Sequence, residues 1–368
     1  MNNFDPLAQF RPTVDDVTFA DRLHAFHRAV YASEPFVFDD VMTRFFQPTP
    51  GCVAHDHCLL HHDGQWHLFV LSGELIHCEP LVEASRAGNW RAARNAPYAL
   101  GDLHAAGPCL TDLRPIGKVL DPPPFDDVFV CTNSFVHRFF DRWVNIFTAT
   151  RPQGQSLMLA WSDDLLHWHY DDANPAWQPP SWAGRTSVCK GPCVVEHEGT
   201  YFVFYNLNLA EGTSSVSLIS TQDFRKFFDH GPVLKFPNQL RGTQGCESPC
   251  AFVRNGIWHL MVCSGDSWWH AISNRPNGFM AAQGVRSASV CGVYDLGPFH
   301  VGKVVQLAGR WWMTSSFKAE HRRRCRAAGE SFFRGEKADE AGLLAGLFMS
   351  EIRWDADRPL LTKPEFLP

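Results

Sequence analysis

"AHDHCLLHHDGQWHLFV", residues 54 to 70, closes in alternating bulky and polar positions that read as a strand, an Asp-Gly turn and a second, aromatic strand. It opens, however, on a carboxylate flanked by two imidazoles: His55, Asp56 and His57. The same form recurs as TNSFVHRFFDRWVNIFTA (132 to 149), KGPCVVEHEGTYFVFYN (190 to 206), ESPCAFVRNGIWHLMVC (247 to 263) and HVGKVVQLAGRWWMTSS (300 to 316). The turn glycines keep step, with Gly199, Gly256 and Gly309 each nine residues after Lys190, Glu247 and His300, and Gly64 eight after Asp56. Each copy is a hairpin. A third strand follows in several copies, as SLMLAWSDDLLHWHY, SVSLISTQDFRKF and LFMSEIRWD, and "WSDDLLHW" and "STQDFRKF" share a strand, Ser/Thr, acidic turn and aromatic. Starts near 56, 132, 190, 247 and 300 give a period of about 55 to 75 residues, room for four antiparallel strands per copy.

Five such units predict an all-β, five-bladed β-propeller over residues 35–368, preceded by a helical extension over 1–34. In VTFADRLHAFHRAVY, after Asp15 and Asp16 as caps, Phe19, Leu23, Phe26 and Val30 recur at helical spacing, as expected for a lid or brace. PFVFDDVMTRFF (35 to 46) reads as a strand completing the last blade with C-terminal chain. The Pro-rich stretch 86 to 127 reads as an elaborate connection between the first two blades. Residues 318 to 340 interrupt the last blade with dense charge, either a solvated helix or loop, or a basic flap over an anionic substrate.

The first strand of each blade lines the central channel, and its first residues face one mouth. Asp56, Thr132 or Asn133, Lys190, Glu247 and His300 are therefore expected to converge there. The alternative is that inner strands simply begin in polar loops. Strand alternation sends His55 and His57 to the face opposite Asp56, so at least one is expected to be a hydrogen-bonded strand-edge histidine. Arg241 and Gln244 lie on a loop that should reach the mouth, and Trp268 and Trp269 are candidates for a stacking platform at its rim. Trp161 and Trp168 fit packing at a blade turn.

The balance of 33 basic and 39 acidic residues, a formal charge of −6, argues against a nucleic-acid binder. No stretch approaches the ~18 apolar residues of a membrane span, so no membrane partner is expected. MNNFDPLAQFRPTVDD has acids and no apolar core, unlike a secretory signal, and the twelve cysteines, several in strand-like surroundings, are expected to be buried free thiols of a cytoplasmic protein. There is no CxxC, and Cys189/Cys193 and Cys246/Cys250 lack matching histidines, which argues against structural zinc.

At these residues the chain resembles the five-bladed glycoside hydrolases of family 43 and their fructan-cleaving relatives of family 32. His55-Asp56 resembles the first-blade His-Asp-Pro motif, with His57 in place of Pro; CESPCAFVRNGIWHLMV resembles the fourth-blade Glu-Gly-Pro motif; GPFHVGKVV resembles the fifth-blade segment whose His faces the channel. The resemblance implies that Asp56 is the general base, or the nucleophile in a retaining enzyme, and Glu247 the general acid. From their places on the strands and loops around the mouth, Lys190, His300, His55, His57, Asn133, Arg241, Trp268 and Trp269 are the candidate substrate contacts. No cofactor is required, although His300 with waters would hold a structural divalent cation in the channel. The departure is in the third blade: where an Asp-Pro is usual, the chain reads Cys189-Lys190-Gly191-Pro192. A cation beside Glu247 favours its ionised form, the wrong direction for a general acid.

Three functions follow: a glycosidase on a small furanoside or related sugar with a two-carboxylate mechanism; a non-hydrolytic enzyme (phosphorylase, lyase, isomerase or cyclase) in which Lys190 and His300 grip an anionic group; or a carbohydrate-binding propeller without turnover.

Overall fold

A computed structural model of the chain describes residues 10–48, 52–74, 101–120, 125, 127–128, 130–151, 153–184, 188–209, 213–237, 246–264, 267–279, 294–307, 309–328 and 346–365. Five antiparallel sheets form a five-bladed β-propeller. The first blade is β2 (Cys52–His62), β3 (Gln65–Glu74), β4 (Gly101–Gly107) and β5 (Arg114–Lys118). The second is β6 (Val130–Phe139), β7 (Arg142–Arg151), β8 (Gly154–Ser162) and β9 (His169–Tyr170). The third is β10 (Cys189–His197), β11 (Thr200–Asn208), β12 (Thr213–Thr221) and β13 (Phe228–Pro237). The fourth is β14 (Cys246–Arg254), β15 (Ile257–Ser264), β16 (Ser267–Ser273) and β17 (Tyr294–Asp295).

The fifth blade closes the ring from both ends of the chain. Behind β18 (His300–Leu307), β19 (Arg310–Ser316) and β20 (Leu347–Asp355), the outer edge is shared: β1 (Thr43–Phe46) pairs with the first part of β20, and β21 (Arg358–Thr362) with the rest. Residues 35–46 thus do complete the last blade, as a short helix α2 (Phe38–Val41) followed by β1. The prolines of 86–127 misled the reading of that segment. Its described part contributes β4 and β5, the outer strands of the first blade, and Pro115 is tolerated because β5 is an exposed edge.

Middle strands are buried on both faces, β11 and β15 almost throughout, because each blade packs against two neighbours. That is why they read as continuous apolar runs rather than alternating ones. One core joins Val144, Ile146 and Leu159 of the second blade to Val203 and Ile219 of the third, and another joins Phe204 and Leu218 of the third to Trp258 and Leu260 of the fourth. The turn glycines act as the rhythm required. Gly64, Gly199 and Gly256 follow Asp63, Glu198 and Asn255 with both residues of each pair at positive φ, the tight hairpin turn that matches strand twist. The repeated Ser/Thr-acid pattern is turn chemistry too: Ser162 Oγ accepts the N–H of Asp164 and Leu165, and Thr221 Oγ1 those of Asp223 and Phe224.

The described cysteines form no disulfide with one another. Several bind across blade boundaries: Cys58 Sγ–H donates to Val136 O (3.7 Å), and Cys193, Cys250 and Cys263 accept the backbone N–H of Ala251, Val304 and Val301 at 3.3, 3.2 and 2.9 Å. Helix α1 (Asp16–Tyr31), capped by Asp15, is a brace: Phe26 and Val30 join the core of blades four and five, and Arg22 Nε donates to the buried Asp357 (2.8 Å). Among the described residues no helix is long and apolar enough to cross a membrane.

Candidate active site

Every innermost strand carries one extra residue at the same place. The ladder slips between Ala54 and His57, Thr132 and Phe135, Lys190 and Cys193, Glu247 and Cys250, and His300 and Lys303. In blades two to five the first bulged residue is left-handed: Asn133 (φ 60), Gly191 (65), Ser248 (54) and Val301 (52). For a β-branched valine this conformation is strained, and neighbouring blades hold the bulges in place. Gly191 N–H donates to Thr148 Oγ1 (3.0 Å), Val301 N–H to Cys263 Sγ (2.9 Å), and Ser134 N–H to Asp102 Oδ2 (2.8 Å). Thr132, Lys190, Glu247 and His300 share one register, immediately before the bulge. Asp56 is placed differently, inside the bulge of the first blade.

Three of these polar residues meet. Glu247 accepts on both oxygens, from His300 Nε2–H at 2.8 Å and from Lys190 Nζ at 3.0 Å. Asp56 Oδ1 accepts Ser248 Oγ–H at 2.5 Å, and Oδ2 lies 3.2 Å from His55 Nδ1. The His55 and His300 rings contact edge to face at 4.8 Å, so the Asp56 and Glu247 clusters adjoin through both Ser248 and the imidazoles. Side-chain exposures of 13% for Asp56, 29% for Glu247 and 30% for Lys190 leave all three open to a small ligand.

The electrostatics follow from these contacts. Burial alone would raise Glu247, but the Lys190 charge, the His300 hydrogen bond and the Lys318 charge hold it well below the usual carboxylate range. Burial opposes ionisation of Asp56 as well, and is outweighed by the His55 and Ser248 hydrogen bonds. Lys190 is raised, chiefly by Glu247. Burial pushes His300 down to about 3.

The bulge corrects the face expected of His55: it breaks alternation, so His55 joins Asp56 instead of turning from it. His57 is the hydrogen-bonded strand histidine expected of at least one of the pair, and its burial corrects only its place among the candidate substrate contacts. His57 is 2% exposed, and both ring nitrogens are engaged by protein, Nδ1 with His55 O (2.9 Å) and Nε2 with Thr314 Oγ1 (2.6 Å). It clasps the first blade to the fifth and has no face for a substrate. Trp268 is fully buried, its indole 2.6 Å from where a side chain on Gly302 would begin, so it is core and not rim. Trp269 packs beside the core of blades three and four with its indole N–H on Ser264 O (3.1 Å). Asn133 is half-buried in the second-blade bulge, accepting Thr132 Oγ1–H (3.0 Å). Arg241 and Gln244 lie outside the described residues.

One residue was read only as part of the charged segment 318 to 340, and one escaped the sequence reading. Lys318 opens helix α3 (Lys318–Ala327), and its charge acts on His55, His300 and Glu247. The hairpin register could have found it, because Ser316 pairs with His300 and Lys318 is two residues on. Asp102, on β4, is buried with Oδ1 unpartnered, and burial pushes its carboxyl up to about 7.

A divalent cation at His300 does not fit. Its Nε2 is spent on Glu247, and among the described residues no group of three His, Cys, Asp or Glu side chains is arranged to hold a metal. The next inward position of the fifth blade is Lys303, an ammonium 7% exposed, with Nζ 3.3 Å from Pro249 O.

Buried neutral histidines set the response to acid. Burial lowers His57 and His104 to about 4, His270 and His300 to about 3, and His259 well below 6.5. The unfolded chain takes these protons as pH falls through 6.5, while the folded chain resists to about 4 or below. Stability is therefore full above pH 6.5 and falls towards pH 4, by up to about 1.4 kcal/mol per pH unit for each histidine. Asp102 acts oppositely, because its folded form protonates first, but it is one group against five. The melting temperature is expected to drop steadily from pH 7 to 4; a flat profile would show that these rings are charged in the fold.

No protein-family model matches the chain, and no curated protein does. Solved structures do match. A family 32 β-fructofuranosidase of Bombyx mori superposes with a TM-score of 0.59 at 13% identity, over 95% of this chain and 70% of that one. Fructan 1-exohydrolase IIa of Cichorium intybus gives 0.60 at 14%, over 88% and 60%. An exo-1,5-α-L-arabinanase from a bovine ruminal metagenomic library gives 0.53 at 12%, over 86% and 99%. The first two were also solved, as variants, with sucrose and 1-kestose. The chain has the five-bladed propeller fold of glycoside hydrolase families 32 and 43.

Proposed function

We propose that the protein is a glycoside-cleaving enzyme that seats a small sugar at this mouth. One observation carries the reading: Asp56 and Glu247, far apart in the chain, are brought into adjoining clusters through the Ser248 hydroxyl at 2.5 Å. Asp56, ionised and partly open, takes the anomeric carbon, as nucleophile or as the base that accepts a proton from water. Glu247, Lys190 and His300 take the leaving-group side. The resemblance of the His55-Asp56 and Glu247 segments to the motifs of families 43 and 32, and the small sugars bound by two proteins of like fold, support the substrate class.

The test is turnover of aryl furanosides and pyranosides by the wild type beside Asp56→Asn. Release of the aryl group that vanishes in the variant is the expected result. Silence across the panel, extended to glycosyl phosphates, from a folded protein would remove the glycosidic reading and leave non-glycosidic chemistry or a propeller that only binds.

A further inference from the structure

We propose that the leaving group expelled at this site departs as a stable oxyanion of the phosphate class, so that the substrate is a glycosyl phosphate rather than an ordinary O-glycoside. The inference rests on the reading that Asp56 faces the anomeric carbon, and deepens it on the opposite side of the bond.

Glu247 has no proton to give in this arrangement. Its two oxygens accept from an ammonium at 3.0 Å and an imidazole N–H at 2.8 Å, so an added O–H would be set against one of these donors. A sugar alkoxide cannot leave without a proton in such a pocket, because its conjugate acid is far too weak. Phosphate can. It also finds what an alcohol does not need: Lys190, with two of its three N–H donors remaining after Glu247, and the Lys318 charge acting on the same cluster. Glu247 then serves as a positioning residue, holding the Lys190 ammonium and the His300 ring in place. Lys190 stands one place before Gly191, whose left-handed φ of 65 favours a residue without a side chain, so no carboxylate projects from that position to compete for the ammonium.

The step balances without an acid. The anomeric carbon–oxygen bond breaks with its electron pair going to phosphate. The new bond to that carbon comes from an Asp56 oxygen, or from a water whose proton Asp56 accepts. No proton crosses to the leaving group, and no oxidant or reductant is needed.

The experiment has a binding arm and a turnover arm. Inorganic phosphate is titrated calorimetrically into the wild type, Lys190→Ala, Lys318→Ala and the charge-keeping Lys190→Arg, each checked for its melting temperature. Wild-type binding that weakens tenfold or more in Lys190→Ala, and less in Lys190→Arg, is expected. In the second arm a panel of α- and β-glycosyl phosphates is run beside dinitrophenyl, phenyl and methyl glycosides. Turnover of a glycosyl phosphate, with kcat/KM falling steeply from dinitrophenyl to phenyl to methyl, supports the proposal. Methyl or phenyl glycosides cleaved as fast as the dinitrophenyl ones, or phosphate that does not bind, overturns it and leaves the glycosidic reading standing. Absence of turnover on every glycoside overturns both, even where phosphate binds.

Discussion

Asp56→Asn is expected to lower kcat by about 10³- to 10⁵-fold, the range seen when an enzyme loses a group that acts directly on the reacting atom. The substitution keeps shape and most contacts. An Asn carbonyl still accepts the Ser248 hydroxyl that Asp56 takes at 2.5 Å, so the link between blades one and four survives. What is lost is the negative charge beside the anomeric carbon, and with it both nucleophile and base. Because the His55 and Ser248 contacts outweigh burial and hold Asp56 ionised, losing the charge should lower the melting temperature modestly without unfolding the protein. The measurement is kcat on whichever substrate the panel yields, with circular dichroism and a melting curve on the same preparation. Activity within tenfold of wild type would assign the attacking group elsewhere; collapse of the melting curve would make Asp56 a structural residue.

Phe46→Ala should have the largest effect on stability. Phe46 is 4% exposed, pairs with Leu347 across the closing strands, and packs into the core with Trp312 and Met349 of the last blade and Trp66 and Leu68 of the first. Removing a buried phenyl ring costs about 3–5 kcal/mol in transfer and cavity terms. At this position the cavity lies where N-terminal chain fastens the ring of blades, so unfolding is expected to begin between blades five and one. Phe140→Ala is the control, because Phe140 is 80% exposed at a hairpin tip and should change stability by less than about 0.5 kcal/mol. Denaturant midpoints compare the two directly. Equal shifts would mean that the closing strand carries no special share of the stability.

The repeated hairpins, the blade count and the strand that closes the last blade were all legible in the chain. Each rests on local chemistry: turn glycines after a residue that tolerates positive φ, Ser/Thr-acid turns, and apolar runs of strand length. The inner strands were also nearly located, although four of the five begin one to four residues earlier than read, at Cys52, Val130, Cys189 and Cys246.

What failed were the face that alternation assigned to His55 and the free surface assumed for His57 and Trp268. His55 and His57 were assigned faces by counting in twos, and one inserted residue, stabilised by contacts between blades, reversed the result for His55. Trp268 looked available for stacking; its burial depends on Gly302, on the next blade. Asp102 went unnoticed, and Lys318 was read only as part of a charged segment, because the groups they act on lie on other strands, most of them in other blades, and not beside them in the chain.

The sequence by itself determined the architecture and the residue types at the mouth, because period, turn chemistry and hydrophobic pattern act over a few residues. Only the tertiary structure decided which of those groups meet and in what state of charge. Both depend on distances of about 3 Å between separate blades and on the exclusion of water, and neither is a property of any one segment.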